Sequence, residues 1–129
     1  MPSDTDEINT LLSTYSDIHE SGKIFLTNAT DDFKFVRPSG NPVDAEEYAR
    51  MFESGDVVVT ASKLAKIHKI DVFGDTAFTA FTQMASFTYK GTPNDDVFTV
   101  SALLKKMDGS WKFAWMHRSS GESDLAAWD

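Results

Sequence analysis

Apolar residues in the first part of the chain recur at helical spacing. Ile8, Leu11, Leu12, Tyr15, Ile18 and His19 fall on one face of a helix over about residues 4–21. Ser3 or Asp4 is placed to cap its start, and Asp6 and Glu7 lie near the positive end of its dipole. Gly22 is a natural stop. Ile24, Phe25, Leu26 and Ala29 then predict a short second helix over about 23–29, with a strand as the alternative. Asp31-Asp32 turns the chain into a short strand from Phe33 to Arg37, ended by the loop Pro38-Ser39-Gly40-Asn41-Pro42. Asp44 and Glu47 have the spacing of a capping box. The helix they open carries Tyr48, Ala49, Met51 and Phe52 on its apolar face and stops at Ser54-Gly55.

From Asp56 onward the period changes to two. Val57 to Phe73 is β-rich throughout and too long for one straight strand, which predicts a bend or bulge. Gly74-Asp75 turns it into a strand over about 76–90. A second turn is expected over Gly91-Thr92-Pro93-Asn94-Asp95, followed by a strand over about 97–106. Asp108-Gly109 is a hairpin signal, and the last strand runs from Trp111 to Arg118. Residues 121–129 are expected to form a flexible tail. Helices first and strands afterwards make an α+β domain, one unit over residues 1–129. A bent, mostly antiparallel sheet wrapped around a long helix leaves a tapered cavity.

Strict alternation along the last strand puts Trp111, Phe113, Trp115 and His117 on one face, and Lys112, Ala114, Met116 and Arg118 on the other. The preceding strand is apolar on both sides as well, so both faces of the sheet must be covered. The helices suffice for one face only. A second copy of the chain is the expected cover for the other, as a homodimer or larger ring with Phe113, Trp115 and His117 at the contact.

Composition narrows the classes of function. A chain of 129 residues with 41% hydrophobic content and ten Phe can bury a core without staples. The absence of cysteine excludes disulfides, thiolate metal sites and a cysteine nucleophile. A formal net charge of −8 repels phosphate backbones and anionic lipid, so neither nucleic acid nor membrane is an expected partner. The start, Met-Pro-Ser-Asp-Thr-Asp-Glu, lacks the basic and apolar runs of a signal peptide. No stretch approaches the roughly 20 apolar residues of a membrane helix. The expected location is cytoplasmic.

The final strand, Trp111-Lys112-Phe113-Ala114-Trp115-Met116-His117-Arg118-Ser119, resembles the ending of the association domain of calcium/calmodulin-dependent protein kinase II. The turns Phe73-Gly74-Asp75-Thr76-Ala77 and Lys106-Met107-Asp108-Gly109-Ser110-Trp111 carry the same resemblance. The broader set is the SnoaL-like branch of the nuclear-transport-factor-2-like (NTF2-like) superfamily, and the likeness covers about residues 4–120. It implies a cystatin-like cone, in a free-standing domain with no kinase segment. On that scaffold the superfamily holds isomerases, cyclases, dehydratases, ligand carriers and pure oligomerisation modules, so fold alone does not assign function. In the association domain, arginines inside the cone bind small carboxylates, and Arg118 matches one of them. Met84 falls near where the family can carry another arginine, and a methionine cannot do that work. Metal-free carbonic anhydrases of the superfamily end in several His followed by Ser-Ser; here only His117 and Ser119-Ser120 correspond.

The candidate chemistry is accordingly sparse. Arg118 is the expected anchor for a ligand carboxylate or carbonyl. Tyr15 and His19, one turn apart, are placed to look into the cone, where the resemblance implies that phenol and carboxyl groups stabilise an enolate. Thr82, Ser86 and Thr88 share a strand face with Met84 and are placed to line a mildly polar cavity, with the alternative that they are ordinary β-formers. The acids cluster at turns or caps, where they do local hydrogen-bonding work; Asp31 or Asp32, between the second helix and the first strand, is the candidate base. His19, His68 and His117 have no metal-ligand spacing, and no cofactor motif is present. Two expectations follow: a small-molecule cone with acid–base chemistry, or an assembly module whose product is the oligomer itself.

Overall fold

The computed structural model describes residues 3–17 and 22–129. Its first helix, α1 (Asp4–Asp17), starts where the Ser3 hydroxyl accepts the Asp6 N–H at 3.1 Å, satisfying one of the amides that a helix leaves open. Ile8, Leu12, Tyr15 and Ser16 are its buried face. Ile18 and His19 lie outside the described residues. A single-turn helix α2 (Ile24–Thr27) buries Ile24 and Phe25 and leads into β1 (Ala29–Val36). A loop and the short β2 (Pro42–Val43) connect to α3 (Ala45–Glu53). There the expected capping box forms. The Asp44 carboxylate accepts the Glu47 N–H at 2.8 Å, and the Glu47 side chain accepts the Asp44 N–H at 3.2 Å.

Four long strands complete the sheet: β3 (Val57–Phe73), β4 (Thr76–Tyr89), β5 (Thr92–Met107) and β6 (Ser110–Arg118). The order is β2-β1-β6-β5-β4-β3, antiparallel except where β1 runs parallel to β6. Three register shifts in β3, at Val59/Ala61, Leu64/Lys66 and Ile67/Lys69, provide the bend that its length requires. The sheet therefore has an inner face against the helices and an outer face away from them. Ile8, Leu12, Phe25, Phe33, Phe35, Phe81, Phe98, Val100, Leu104, Phe113 and Met116, each under 3% exposed, form the core between helices and inner face.

Three expectations need correction. First, the β4–β5 turn is only Lys90-Gly91, both at positive φ (50° and 84°), so Thr92 to Asp96 belong to β5. Pro93 is tolerated there because β6 ends opposite Val100, leaving this part of β5 free of a sheet partner on one side. Second, β6 does not alternate strictly. Leu104 pairs with Phe113 and Leu103 with Trp115, so Ala114 is a bulge. The bulge resets the parity: Trp111 and Phe113 join Met116 and Arg118 on the inner face, while Trp115 and His117 point outward. Third, the C-terminal segment is anchored rather than loose. Val97 exchanges backbone hydrogen bonds with Gly121 and Ser123, and a 3₁₀ turn (Leu125–Trp128) follows. Trp128 stacks on His68 with ring centroids 3.8 Å apart, and Asp129 pairs with Lys66 at 3.1 Å.

Candidate functional site

The core does not fill the whole inner face. Towards the Arg37–Asn41 loop, helices and sheet diverge around a cavity of about 500 Å³, within the range of small-molecule sites. Its placement follows from pairing. Val59 opposes Phe87, Ser62 opposes Ala85, Gln83 opposes Phe98 and Ala85 opposes Asp96, so these residues share the inner face. Tyr15 enters from α1, and Tyr48, Met51 and Phe52 enter from α3. Ser120 and Gly121, just beyond β6, close one side.

Arg118 is the cavity's central cation. Its guanidinium lies over the Phe98 ring at 4.0 Å and 5.2 Å from the Phe35 ring centroid, and its Nη1 donates to the Tyr15 hydroxyl at 3.5 Å. Among the described residues no carboxylate lies within 4.0 Å of it, and its buried Nε has no hydrogen-bond partner. An unpaired donor on a charged group is costly inside a protein, because the water it gave up is not replaced. A matching orphan acceptor, Gln83 Oε1, lines the same cavity. The other end of that amide is fixed: Nε2 donates to Ser62 Oγ at 3.1 Å, and Ser62 Oγ donates to the Ser16 carbonyl.

Three groups that line the cavity have displaced pKa values. Burial pushes the Tyr15 phenol above its ordinary pKa, with the charge of Arg118 opposing the rise. Loss of hydration pushes the Tyr48 phenol up as well. Both phenols are therefore neutral hydrogen-bonding groups at physiological pH. Asp96 is the third: burial raises its carboxyl, Arg118 opposes, and the neighbouring Asp95 and Glu122 raise it further. The sign for stability follows from linkage. A carboxyl whose folded pKa lies above its unfolded value contributes stability at low pH, and that contribution is lost as pH rises through the folded pKa. Asp96→Asn should thus unfold at a higher temperature than the native chain at pH 7, with the difference vanishing near pH 3. Thermal melts across that range check it; equal melting temperatures at pH 7 would contradict the assignment.

The chain matches, over residues 3–129, the family described as "Protein of unknown function (DUF3804)". An NTF2-like protein of unknown function from Prochlorococcus marinus is 46% identical, with a TM-score of 0.91 over 98% of this chain and 100% of that one. The chain is an NTF2-like protein of the DUF3804 family. A protein from Exiguobacterium sibiricum described as a Ca/calmodulin-dependent kinase II association domain is similar in fold: 20% identity, TM-score 0.79, 96% of this chain and 98% of that. A ketosteroid isomerase-like protein from Erwinia carotovora atroseptica is similar at 23% identity and TM-score 0.60, covering 80% of this chain and 82% of that. Another NTF2-like neighbour, from Novosphingobium aromaticivorans, is described as having a cystatin-like fold. Among curated proteins none matches. The fold family thus spans isomerase-like proteins and association domains, and the site must carry the functional argument.

Of the residues the sequence singled out, this NTF2-like cavity brings together Arg118 and Tyr15. The other described candidates lie elsewhere. Thr82, Met84 and Ser86 are on the outer face of β4, since their neighbours Phe81, Gln83 and Ala85 point inward; the Thr82 hydroxyl meets His68 Nε2 at 2.7 Å, and Ser86 donates to Asp95 at 2.6 Å. Asp32 is exposed on β1, away from the cavity, and the Thr30 hydroxyl donating to it at 2.8 Å holds its carboxyl below the ordinary range. It is therefore not the base of this site. Phe113 is fully buried in the core, so it cannot form an intersubunit contact. Trp115, 47% exposed, and His117 do lie on the outer face. His117 accordingly sits across the sheet from the cavity, and of the carbonic-anhydrase correspondence only Ser120 lines it. His19 is outside the described residues, among which no His or acidic cluster could hold a metal ion and no helix is long and apolar enough to cross a membrane.

Sequence reasoning missed Gln83, Tyr48 and Asp96. The last was legible in principle: with the turn shortened to Lys90-Gly91, period two running back from Phe98 puts Asp96 and Asn94 on its face.

Proposed function

We propose that the cone of this NTF2-like protein binds a small organic carboxylate on Arg118, as a ligand-binding domain able to support acid–base chemistry. The observation that carries this reading is the guanidinium itself: among the described residues it is unpaired by any carboxylate and orphaned at Nε, and it is braced on the Phe98 ring beside an open cavity. A structural arginine in a core is expected to be neutralised; one held ready for a ligand is expected to be braced and left open. Tyr15, neutral and within reach of Arg118, is a second donor for a carboxylate or carbonyl oxygen. Calorimetric titration of the intact protein with acetate, propionate and succinate tests the reading. Saturable binding that disappears with the corresponding amides is the expected result. Heats no larger than those of buffer dilution for all three acids would overturn it.

A second reading, self-association, is favoured by a separate observation. The outer face carries Phe78 and Trp115 with Leu103 between them, and Met84 beside Val97 six residues further along the strands; Phe78, Met84 and Trp115 are each more than a third exposed. An apolar surface of this kind on an acidic chain marks a contact surface, and a second copy is the economical occupant. Light scattering at micromolar concentration should report at least a dimer, and a monomer would contradict it. The two readings concern opposite faces of one sheet, so each can hold without the other.

A further inference from the structure

The cavity has a second charged pole that the carboxylate reading leaves unused. Asp96 stands on the inner face of β5, two residues from Phe98, whose ring supports the Arg118 guanidinium. Its carboxylate takes no hydrogen bond among the described residues and lies more than 4.0 Å from the guanidinium, although both open into the same cavity. Opposite charges attract, and side chains able to meet would close into an ion pair. Here pairing in the sheet holds them apart. Asp96 opposes Ala85, whereas Arg118 opposes Val100, four residues along β5 or about 13 Å of strand at the backbone. Arg118 reaches back over Phe98, towards the Asp96 end of the strand.

Resting on the reading of Arg118 as a carboxylate anchor, we infer that the ligand is a small zwitterion, a carboxylate whose cationic nitrogen sits a few bonds away against Asp96. Three observations converge on this class. The orphaned groups are complementary: Arg118 Nε needs an acceptor, and Gln83 Oε1 needs a donor. A plain carboxylate has only acceptors, so it would satisfy the first, leave the second empty and bring an anion towards Asp96. Phe87 and Tyr89 line the same cavity, with Phe87 opposite Asn94 next along from the Ala85–Asp96 pair on that face, and aromatic faces attract a cationic nitrogen. Finally, a chain of net charge −8 repels anions at long range but not a neutral zwitterion.

Gly121 fixes the position of the second pole. A Cβ at this residue would collide with the Asp96 carboxyl group, and Gly121 is not held at positive φ, so a side chain here acts through Asp96. This gives two independent variants, Asp96→Asn to remove the charge and Gly121→Ala to move it.

The experiment is a calorimetric titration of the full chain with straight-chain ω-amino acids of three to six carbons, each against the carboxylate of equal length. At least one amino acid of the series should bind about tenfold more tightly than its matched carboxylate, the size expected for one charge-assisted contact. Asp96→Asn should reverse that preference, because plain carboxylates gain affinity once the repelling charge is gone. Gly121→Ala should shrink the preference while its amide NMR spectrum stays folded. If native protein binds the plain carboxylates as tightly as the amino acids, the zwitterion inference fails while the Arg118 anchor stands. If no acid of either series binds, both fail.

Discussion

Arg118→Gln is expected to lower the affinity for carboxylate ligands by about ten- to a hundredfold, the worth of one or two charge-assisted hydrogen bonds. Loss of the fold does not explain such a result, because two effects on the free protein oppose each other. Removing the guanidinium forfeits its stacking on Phe98 and Phe35 and its contact to Tyr15. It also relieves an unpaired, partly buried charge with an orphaned Nε. Each is on the order of 1 kcal/mol, so the melting temperature of the free protein should move little. Arg118→Lys should recover only part of the affinity, since an ammonium lacks the fork that presents two parallel donors. Calorimetry and thermal melts on the same samples separate the two quantities. Unchanged affinity in the Gln variant would remove Arg118 from the site.

The second large effect concerns two aromatic residues two positions apart. Phe113→Ala should destabilise the domain by about 3–5 kcal/mol, the usual result of emptying a fully buried aromatic position. Phe113 is fully buried beside Phe25 and Tyr15, with ring centroids 5.5 and 6.3 Å away. Trp115→Ala, at a 47% exposed position, should change the stability of an isolated chain by no more than about 0.5 kcal/mol. Its effect should appear instead as weakened self-association at micromolar concentration. Denaturant unfolding and light scattering of both variants check this. Equal destabilisation by the two substitutions would mean that they share a face and that Ala114 is no bulge.

That pair also shows where the sequence was legible. Elements whose determinants are local could be read directly: the α1 face, the Asp44/Glu47 capping box and the Asp108-Gly109 hairpin, whose residues take φ of 53° and 81°. The α+β order and the family likeness followed from these. Facing was harder, because alternation carries its parity forward from a reference residue and one extra residue inverts everything beyond it. The Ala114 bulge therefore separated Phe113 from Trp115, which alternation had grouped. On β4 polarity misled: Thr82, Met84 and Ser86 looked like a pocket wall, yet the wall is Gln83, Ala85 and Phe87. Asp96 was hidden by its neighbours, since Gly91 to Asp95 has the composition of a long turn while only Lys90-Gly91 makes one. The C-terminal segment escaped because what holds it, the stacking of Trp128 on His68, joins residues far apart in the chain.

The most direct test of the carboxylate-anchored cone is a crystal structure of the protein grown with succinate. A carboxylate oxygen within hydrogen-bond distance of Arg118 Nε, with the Phe98 stacking retained, is the predicted result. An Arg118 neutralised by a carboxylate of the protein itself, in a cone filled by its own side chains, would contradict it.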